Sequence, residues 1–164
     1  MSDSIVIRSA VPSESRLLSN LAFRSKAFWG YSPEFMESCR DELTIEGDQI
    51  VADDASHVVC EFDGKIVGFY VLRRISPTVF DLQALFVDPG DISNGHGRQL
   101  MTHALQSVSK QGGRTLQVQS DPNATRFYEA AGAYQIGLVE SGSIPGRQLP
   151  LLQIDVHVTG PDVA

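Results

Sequence analysis

The stretch Leu85 to Met101, LFVDPGDISNGHGRQLM, constrains the fold more than any other part of the chain. A β-rich run ending at Val87 passes through a loop containing Gly95-His96-Gly97. It then enters a segment whose Leu100, Met101, Ala104, Leu105 and Val108 form one apolar helical stripe. A strand feeding a glycine loop and a helix is an α/β junction. The N-terminus of that helix offers free backbone N–H donors and the positive end of its dipole, so it suits a pyrophosphate, and glycine lets such a group approach the backbone. By itself the Gly-x-Gly loop fits a tight turn that binds nothing equally well. A dinucleotide fold fits poorly. Leu100 stands where its third glycine belongs, and the strand ending near Gln119 offers no acidic residue at the spacing expected for a ribose contact.

The remaining periodicities place this junction in a single domain spanning 1–164. Ser4 to Arg8 reads as a strand, and Pro12-Ser13-Glu14 starts a helix carrying Leu17, Leu18, Leu21 and Ala22. Phe28 to Pro33 interrupts the helical pattern, and Phe35, Met36, Cys39 and Leu43 resume it. His57 to Phe62 and Ile66 to Leu72 flank Asp63-Gly64, a dipeptide suited to a tight hairpin, and Val79 to Val87 follows as a third strand. After the Gly95 helix come a strand at Thr115 to Gln119, a helix at Asn123 to Ala131, and strands near Tyr134 to Val139 and Leu149 to Val158. Consecutive strands imply hairpins and the strand-helix-strand unit implies a parallel crossover, so the sheet is expected to be mixed.

Charge and cysteine content narrow the function classes. A formal charge of −7 and the absence of a basic stripe argue against a nucleic-acid partner and are compatible with a cationic substrate. Cys39 and Cys60 are too few for a disulfide framework and read as two reduced structural thiols. No apolar run approaches a membrane span and no secretory leader is visible, so a cytoplasmic protein without membrane association is expected. His96, His103 and His157 show no metal-ligand spacing, and no metal is expected.

Two motifs together resemble a known family. VDPGDISNGHGRQLM resembles the acyl-CoA-binding motif of the GCN5-related N-acetyltransferases, and SDPNATRFYEAAGA resembles the asparagine-to-tyrosine motif that follows it there. GRQLPLLQIDV is similar to the family's closing strand, so the resemblance runs from Val58 onward and covers the first third loosely. It departs from the family pattern at Ile92 and Ser93, where Gln or Arg and often Gly are usual. The resemblance implies an α/β fold with a mixed, twisted sheet of about seven strands. Helices flank both faces, and the sheet splays after the fourth strand, near Val87, to admit acetyl-CoA. It implies that Leu85, Phe86 and Val87 pair with the pantetheine arm and that Ser93, Asn94, Gly95, His96, Gly97 and Arg98 form the pyrophosphate loop. Asn123, with Phe127 beside it, joins the cofactor-binding set, and Tyr128 faces the thioester sulfur.

The implied reaction is direct acyl transfer to a primary amine of a small molecule or peptide. A neutral amine attacks the thioester carbonyl, an oxyanion forms, and a thiolate leaves, with proximity supplying up to roughly 7–11 kcal/mol in well-oriented cases. Gln83 occupies a position where some relatives carry Glu, so Asp81, Glu46 and His57 are equal candidates for general base, with water as the alternative. Trp29 and Tyr31, with Phe35, fall where the family places its acceptor-binding helices, so Trp29, Tyr31 and Asp81 are the expected amine-binding residues, although clustered aromatics also serve core packing. His96, as a lone loop histidine, is expected to be solvated unless it touches phosphate. A non-catalytic acyl-CoA-binding domain is the alternative; it needs Gly95, Gly97 and Asn123 but not Tyr128. The strands after Gly132 offer a pairing surface for a homodimer.

Overall fold

Seven strands make one sheet: β1 (Ile5–Ser9), β2 (Ala55–Phe62), β3 (Lys65–Arg74), β4 (Val79–Val87), β5 (Thr115–Gln119), β6 (Tyr134–Glu140) and β7 (Gln148–Asp155). Their order across the sheet is β1-β2-β3-β4-β5-β7-β6. The helices are α1 (Ser15–Ala27), α2 (Pro33–Leu43), α3 (Gly47–Val51), α4 (His96–Lys110) and α5 (Thr125–Ala130). This computed structural model describes residues 4–92 and 94–156. Ser93 and the expected last two residues of the closing strand, His157 and Val158, lie outside the described residues.

Each local signal has a visible cause. Asp63 and Gly64 adopt φ of 51° and 83°, and Phe62 pairs with Lys65, which is the tight hairpin that an Asp-Gly dipeptide favours. Ser32 caps α2 by accepting a hydrogen bond from the Phe35 N–H at 3.1 Å, with Pro33 in the first turn. The short helix α3 has no counterpart in the sequence reading. It is five residues long and too brief for an apolar stripe, and it rests on a cap in which the Gln49 side chain accepts from the Glu46 N–H at 2.7 Å. The helix expected to begin at Asn123 starts at Thr125, after a 3-10 turn at Pro122–Ala124.

Alternation along the strands sends side chains to two cores. Val58 and Cys60 of β2 pack with Leu100, Met101, Ala104 and Val108 of α4, whereas Val59 points the other way to meet Leu18, Leu21, Met36 and Cys39 of α1 and α2. Helices therefore cover both faces. Both cysteines are buried and free.

Two departures from regularity open the sheet at its centre. Among the described residues β4 and β5 are the one parallel pair, connected through α4, and they pair only over Val79 to Asp81 and Thr115 to Gln117. Beyond Asp81 the strands part. On its other edge β4 stays paired to β3 as far as Val87, but the register skips Gln83: Val71 faces Ala84 and Leu72 faces Leu82. This bulge re-aims the strand, leaving Leu85 and Val87 against the α4 core and Ala84 and Phe86 against the α1 and α2 core.

Candidate active site

Where β4 leaves β5, the sheet is cleft, and a cavity of about 880 Å³ occupies the opening. Leu85, Phe86 and Val87 line it with a strand edge that has no neighbouring strand. Backbone N–H and C=O groups on such an edge need partners, and a linear ligand bearing amides supplies them in the manner of an added strand. The sequence expectation put the opening near Val87; the pairing shows that it begins after Asp81.

The N-terminus of α4 closes one end of the cleft. The first α-helical bond runs from the Gln99 N–H to the Gly95 carbonyl at 3.1 Å, so the N–H groups of His96, Gly97 and Arg98 lie in the first turn without an acceptor inside the helix, an arrangement that suits an anion. The two glycines do different work. Gly95 has φ of +83° and open space around it, so the backbone conformation requires it. At Gly97 a Cβ would lie 3.1 Å from Cε1 of Phe127 and 3.5 Å from Cγ2 of Val87, so a side chain there would press on the Phe127 ring, which would have to give by a few tenths of an ångström. Arg98 lines the cleft, whereas Asn94 is exposed outside it. His96 corrects the expectation of a solvated side chain. It is 2% exposed, its ring lies 5.3 Å from that of Phe62, and both ring nitrogens are buried without a hydrogen-bond partner.

Opposite α4, the β5 to α5 connection carries the densest polar network of the site. Asp121 caps the 3-10 turn by accepting from the Asn123 N–H at 2.9 Å, and it accepts from the Tyr31 hydroxyl at 2.8 and 2.9 Å. Lys26 Nζ lies 3.1 Å from the same carboxylate. The Asn123 amide donates to Tyr31 Oη at 3.0 Å and to Asp121 Oδ1 at 2.9 Å, so both its protons are used. Arg147 donates to Tyr31 Oη at 2.8 Å. The Tyr31 ring stacks on Phe35 with centroids 4.1 Å apart, flanked by the Lys26 and Arg147 cations. Burial alone would raise the Asp121 carboxyl, but the Asn123 N–H, the Tyr31 hydroxyl and Lys26 together hold it below the usual range.

Tyr31, expected among the amine-binding residues, has its hydroxyl engaged by Asp121, Asn123 and Arg147, three residues that line the cleft, and does not itself join the lining. Trp29 and Asp81 do line it. Lys26, Asp121 and Arg147 were missed in the sequence. Asp121 carried a signal, as Asp before Pro-Asn is a cap, but cations contributed by a distant helix and loop leave no local pattern.

Tyr128 is 6% exposed, lines the cleft, and finds no hydrogen-bond partner for its hydroxyl among the described residues. Burial, and then the Asp121 charge, push the phenol well above its ordinary range, so it is a neutral donor at physiological pH. Of the three candidate bases, Asp81 alone lines the cleft; burial raises its carboxyl despite Arg73 and Gln83. Glu46 caps α3, and His57 lines a separate hollow. Among the described residues no His, Cys, Asp or Glu cluster suits a metal, and no helix is long and apolar enough to cross a membrane.

The sequence model of the acetyltransferase (GNAT) domain matches residues 33–138. Solved structures share the fold. The PaiA N-acetyltransferase of Thermoplasma acidophilum in complex with coenzyme A is 21% identical with a TM-score of 0.78, covering 93% of this chain and 99% of its own. The ribosomal-protein-S18-alanine N-acetyltransferase of Escherichia coli is 18% identical with a TM-score of 0.71, covering 98% and 99%. An aminoglycoside 6'-N-acetyltransferase complexed with coenzyme A is 17% identical with a TM-score of 0.69, covering 96% and 99%. No curated protein sequence matches the chain at a significant level.

Proposed function

The chain belongs to the acetyltransferase (GNAT) family, and on that premise we propose that it transfers an acetyl group from acetyl-CoA directly to a primary amine. The observation that carries this reading is the convergence on one cleft of a free β4 edge, the α4 N-terminus and the Tyr128 hydroxyl. Leu85 to Val87 hold the pantetheine arm and direct backbone N–H groups at the developing oxyanion. The N–H groups of His96, Gly97 and Arg98, with the Arg98 side chain, hold the pyrophosphate. The Asn123 carbonyl oxygen accepts from an amide of the pantetheine arm.

Asp81 is the base in this reading. It takes the proton that the attacking nitrogen loses as the C–N bond forms, and the C–S bond breaks with the electron pair going to sulfur. Tyr128 donates a hydrogen bond to that sulfur. A phenol near pKa ~10 is already a weaker acid than a thiol near ~8.5, a gap of roughly 2 kcal/mol against full proton transfer. Burial and the Asp121 charge push the phenol higher still, so in this reading Tyr128 stabilises the thiolate by hydrogen bonding and keeps its proton.

Calorimetric titration with acetyl-CoA, repeated on Gly97→Asp, tests the cofactor site. The substitution forces a side chain against Phe127 and puts a negative charge in the phosphate site, so binding by the wild type and its loss in the variant are expected. A folded wild type that does not bind acetyl-CoA overturns the reading. A non-catalytic acyl-CoA-binding domain would bind without releasing thiol in the presence of any amine.

A further inference from the structure

The end of α1 lies across the mouth of the split sheet. Arg24 Nη2 meets the Asp88 carboxylate at 2.6 Å, and Asp88 directly follows Val87, the last residue of β4. Lys26 Nζ meets Asp121 at 3.1 Å, and Asp121 stands just beyond Gln119, the last residue of β5. One turn of one helix is therefore tied to both diverging strands. Past it the chain turns back, with the Trp29 N–H donating to the Lys26 carbonyl at 3.2 Å and Gly30 at φ of 89°. That turn sets Phe28 and Trp29 edge to face, with ring centroids 5.8 Å apart, and leaves them 54% and 46% exposed. Trp29 lines the cleft, and its indole N–H has no hydrogen-bond partner among the described residues. A large ring half in water at the lip of a cleft is stabilised by being covered, and a free indole N–H suits an acceptor.

We propose that Trp29 caps the pantetheine arm of bound acyl-CoA, which moves this residue from the amine-binding set to the donor's side of the cleft. The proposal rests on the acyltransferase reading. Position carries it: Asp88 opens the connection that leads to the α4 N-terminus, so the strand ends that α1 bridges are the phosphate end of the cleft. An arm running from there along Leu85 to Val87 passes under Trp29, whereas an amine that yields its proton to Asp81 enters where the strands first part. The chemistry of the arm fits the ring. Its branched dimethyl carbon offers apolar surface to the indole face, and either of its two amide carbonyls can accept from the indole N–H.

Trp29 is the only tryptophan of the chain, so tryptophan emission reports on this one ring. The test is a fluorescence titration with acetyl-CoA and with the adenosine bisphosphate portion of coenzyme A, which lacks the arm, followed by calorimetry on Trp29→Ala and Trp29→Phe. Acetyl-CoA is expected to shift the emission to the blue, and the bisphosphate to leave it unmoved at concentrations that displace acetyl-CoA. Trp29→Ala should weaken acetyl-CoA about tenfold, or ~1.4 kcal/mol, which the covering of roughly 55 Å² of apolar surface supplies. The same variant should bind the bisphosphate within a factor of about two of the wild type, and Trp29→Phe should restore acetyl-CoA affinity to within about threefold. Because Trp29 is half-exposed, both variants should melt close to the wild type. An unmoved emission in a wild type that binds acetyl-CoA, equal losses for the two ligands, or full acetyl-CoA affinity in Trp29→Ala overturns the proposal. Failure of the acyltransferase reading shows separately, as a wild type that does not bind acetyl-CoA in calorimetry or releases no thiol.

Discussion

Tyr31 and Asp121, 90 residues apart in the chain, meet hydroxyl to carboxylate at 2.8 and 2.9 Å and tie the start of α2 to the turn that carries Asn123. The contact links elements on the two sides of the split sheet, and Asn123 and Arg147 both donate to the same hydroxyl. Tyr31→Phe keeps the stack on Phe35 and deletes three hydrogen bonds at once: the one donated to the Asp121 carboxylate and those accepted from Asn123 and Arg147. A loss of about 1–3 kcal/mol in stability is expected, because the half-buried Asp121 carboxylate is left short of a donor. Acetyl-CoA affinity should fall as well, since Asn123 is no longer oriented. Thermal melts and calorimetry check the two effects, and a variant as stable as the wild type would mean that water replaces the hydroxyl.

The same carboxylate predicts a pH signature. The Asp121 carboxyl is held below its ordinary range in the fold, so it contributes stability that is present above its unfolded pKa of about 4 and is lost as pH falls through the lower folded value. Asp121→Asn should therefore melt below the wild type at neutral pH. The gap should close as both are acidified below about pH 4. A gap independent of pH would show that the charge of Asp121 contributes nothing to the fold.

The fold was legible because its signals are local. The Asp63-Gly64 turn, the α4 stripe and the β-rich runs each need only neighbouring residues, and all seven strands fall where those signals put them. The residues along Leu85 to Val87 and from Gly95 to Arg98 that the family resemblance marked do come together in one cleft. What escaped depends on long-range placement. The Tyr31 hydroxyl is taken up by Asp121 at a point where Lys26 and Arg147 converge from α1 and from the approach to β7. His96 is buried because Phe62, at the far end of the β2 hairpin, covers its ring. The start of the opening after Asp81 depends on where a parallel pair stops, which no composition records.

Gly95 and Gly97 should fail for different reasons when replaced by alanine. At Gly95 the cost is backbone strain at φ of +83° with nothing to collide with, about 1–2 kcal/mol in stability. At Gly97 the new Cβ meets Phe127, so the cost is steric and should be relieved by Phe127→Leu, with a coupling of about 1 kcal/mol. A double-mutant cycle on denaturation midpoints measures it. No relief at Gly97, or relief at Gly95 from the same Phe127→Leu change, would contradict the assignment.

Asp81 should set the acid limb of the rate profile. Burial raises its carboxyl above the ordinary range, so the basic form is lost as pH falls through that raised value, and kcat/KM should fall at a higher pH than an unperturbed carboxylate would give. Asp81→Asn is expected to lower kcat/KM about 10²-fold at neutral pH and to remove that limb. An acid limb that survives the substitution assigns the base to another group.

Tyr128 offers the sharpest separation of chemistry from binding. Its ring packs edge-on against Phe127, with centroids 5.2 Å apart, and contributes to the core shared with α4, so Tyr128→Phe preserves the packing. Its hydroxyl has no hydrogen-bond partner among the described residues, so removing it leaves no protein group unpaired and the melting temperature should change little. If the phenol donates to the departing sulfur, the bond matters most when negative charge builds there, and kcat should fall by roughly 10²-fold while acetyl-CoA affinity stays within a factor of about two. Because the phenol is pushed upward by burial and by Asp121, it holds its proton throughout the neutral range. The residual activity of Tyr128→Phe should therefore show the same pH profile between about 6 and 9 as the wild type, scaled down. A variant with unchanged kcat would remove Tyr128 from catalysis and leave the cleft as a binding site. A changed pH profile would instead show that Tyr128 transfers its proton during turnover.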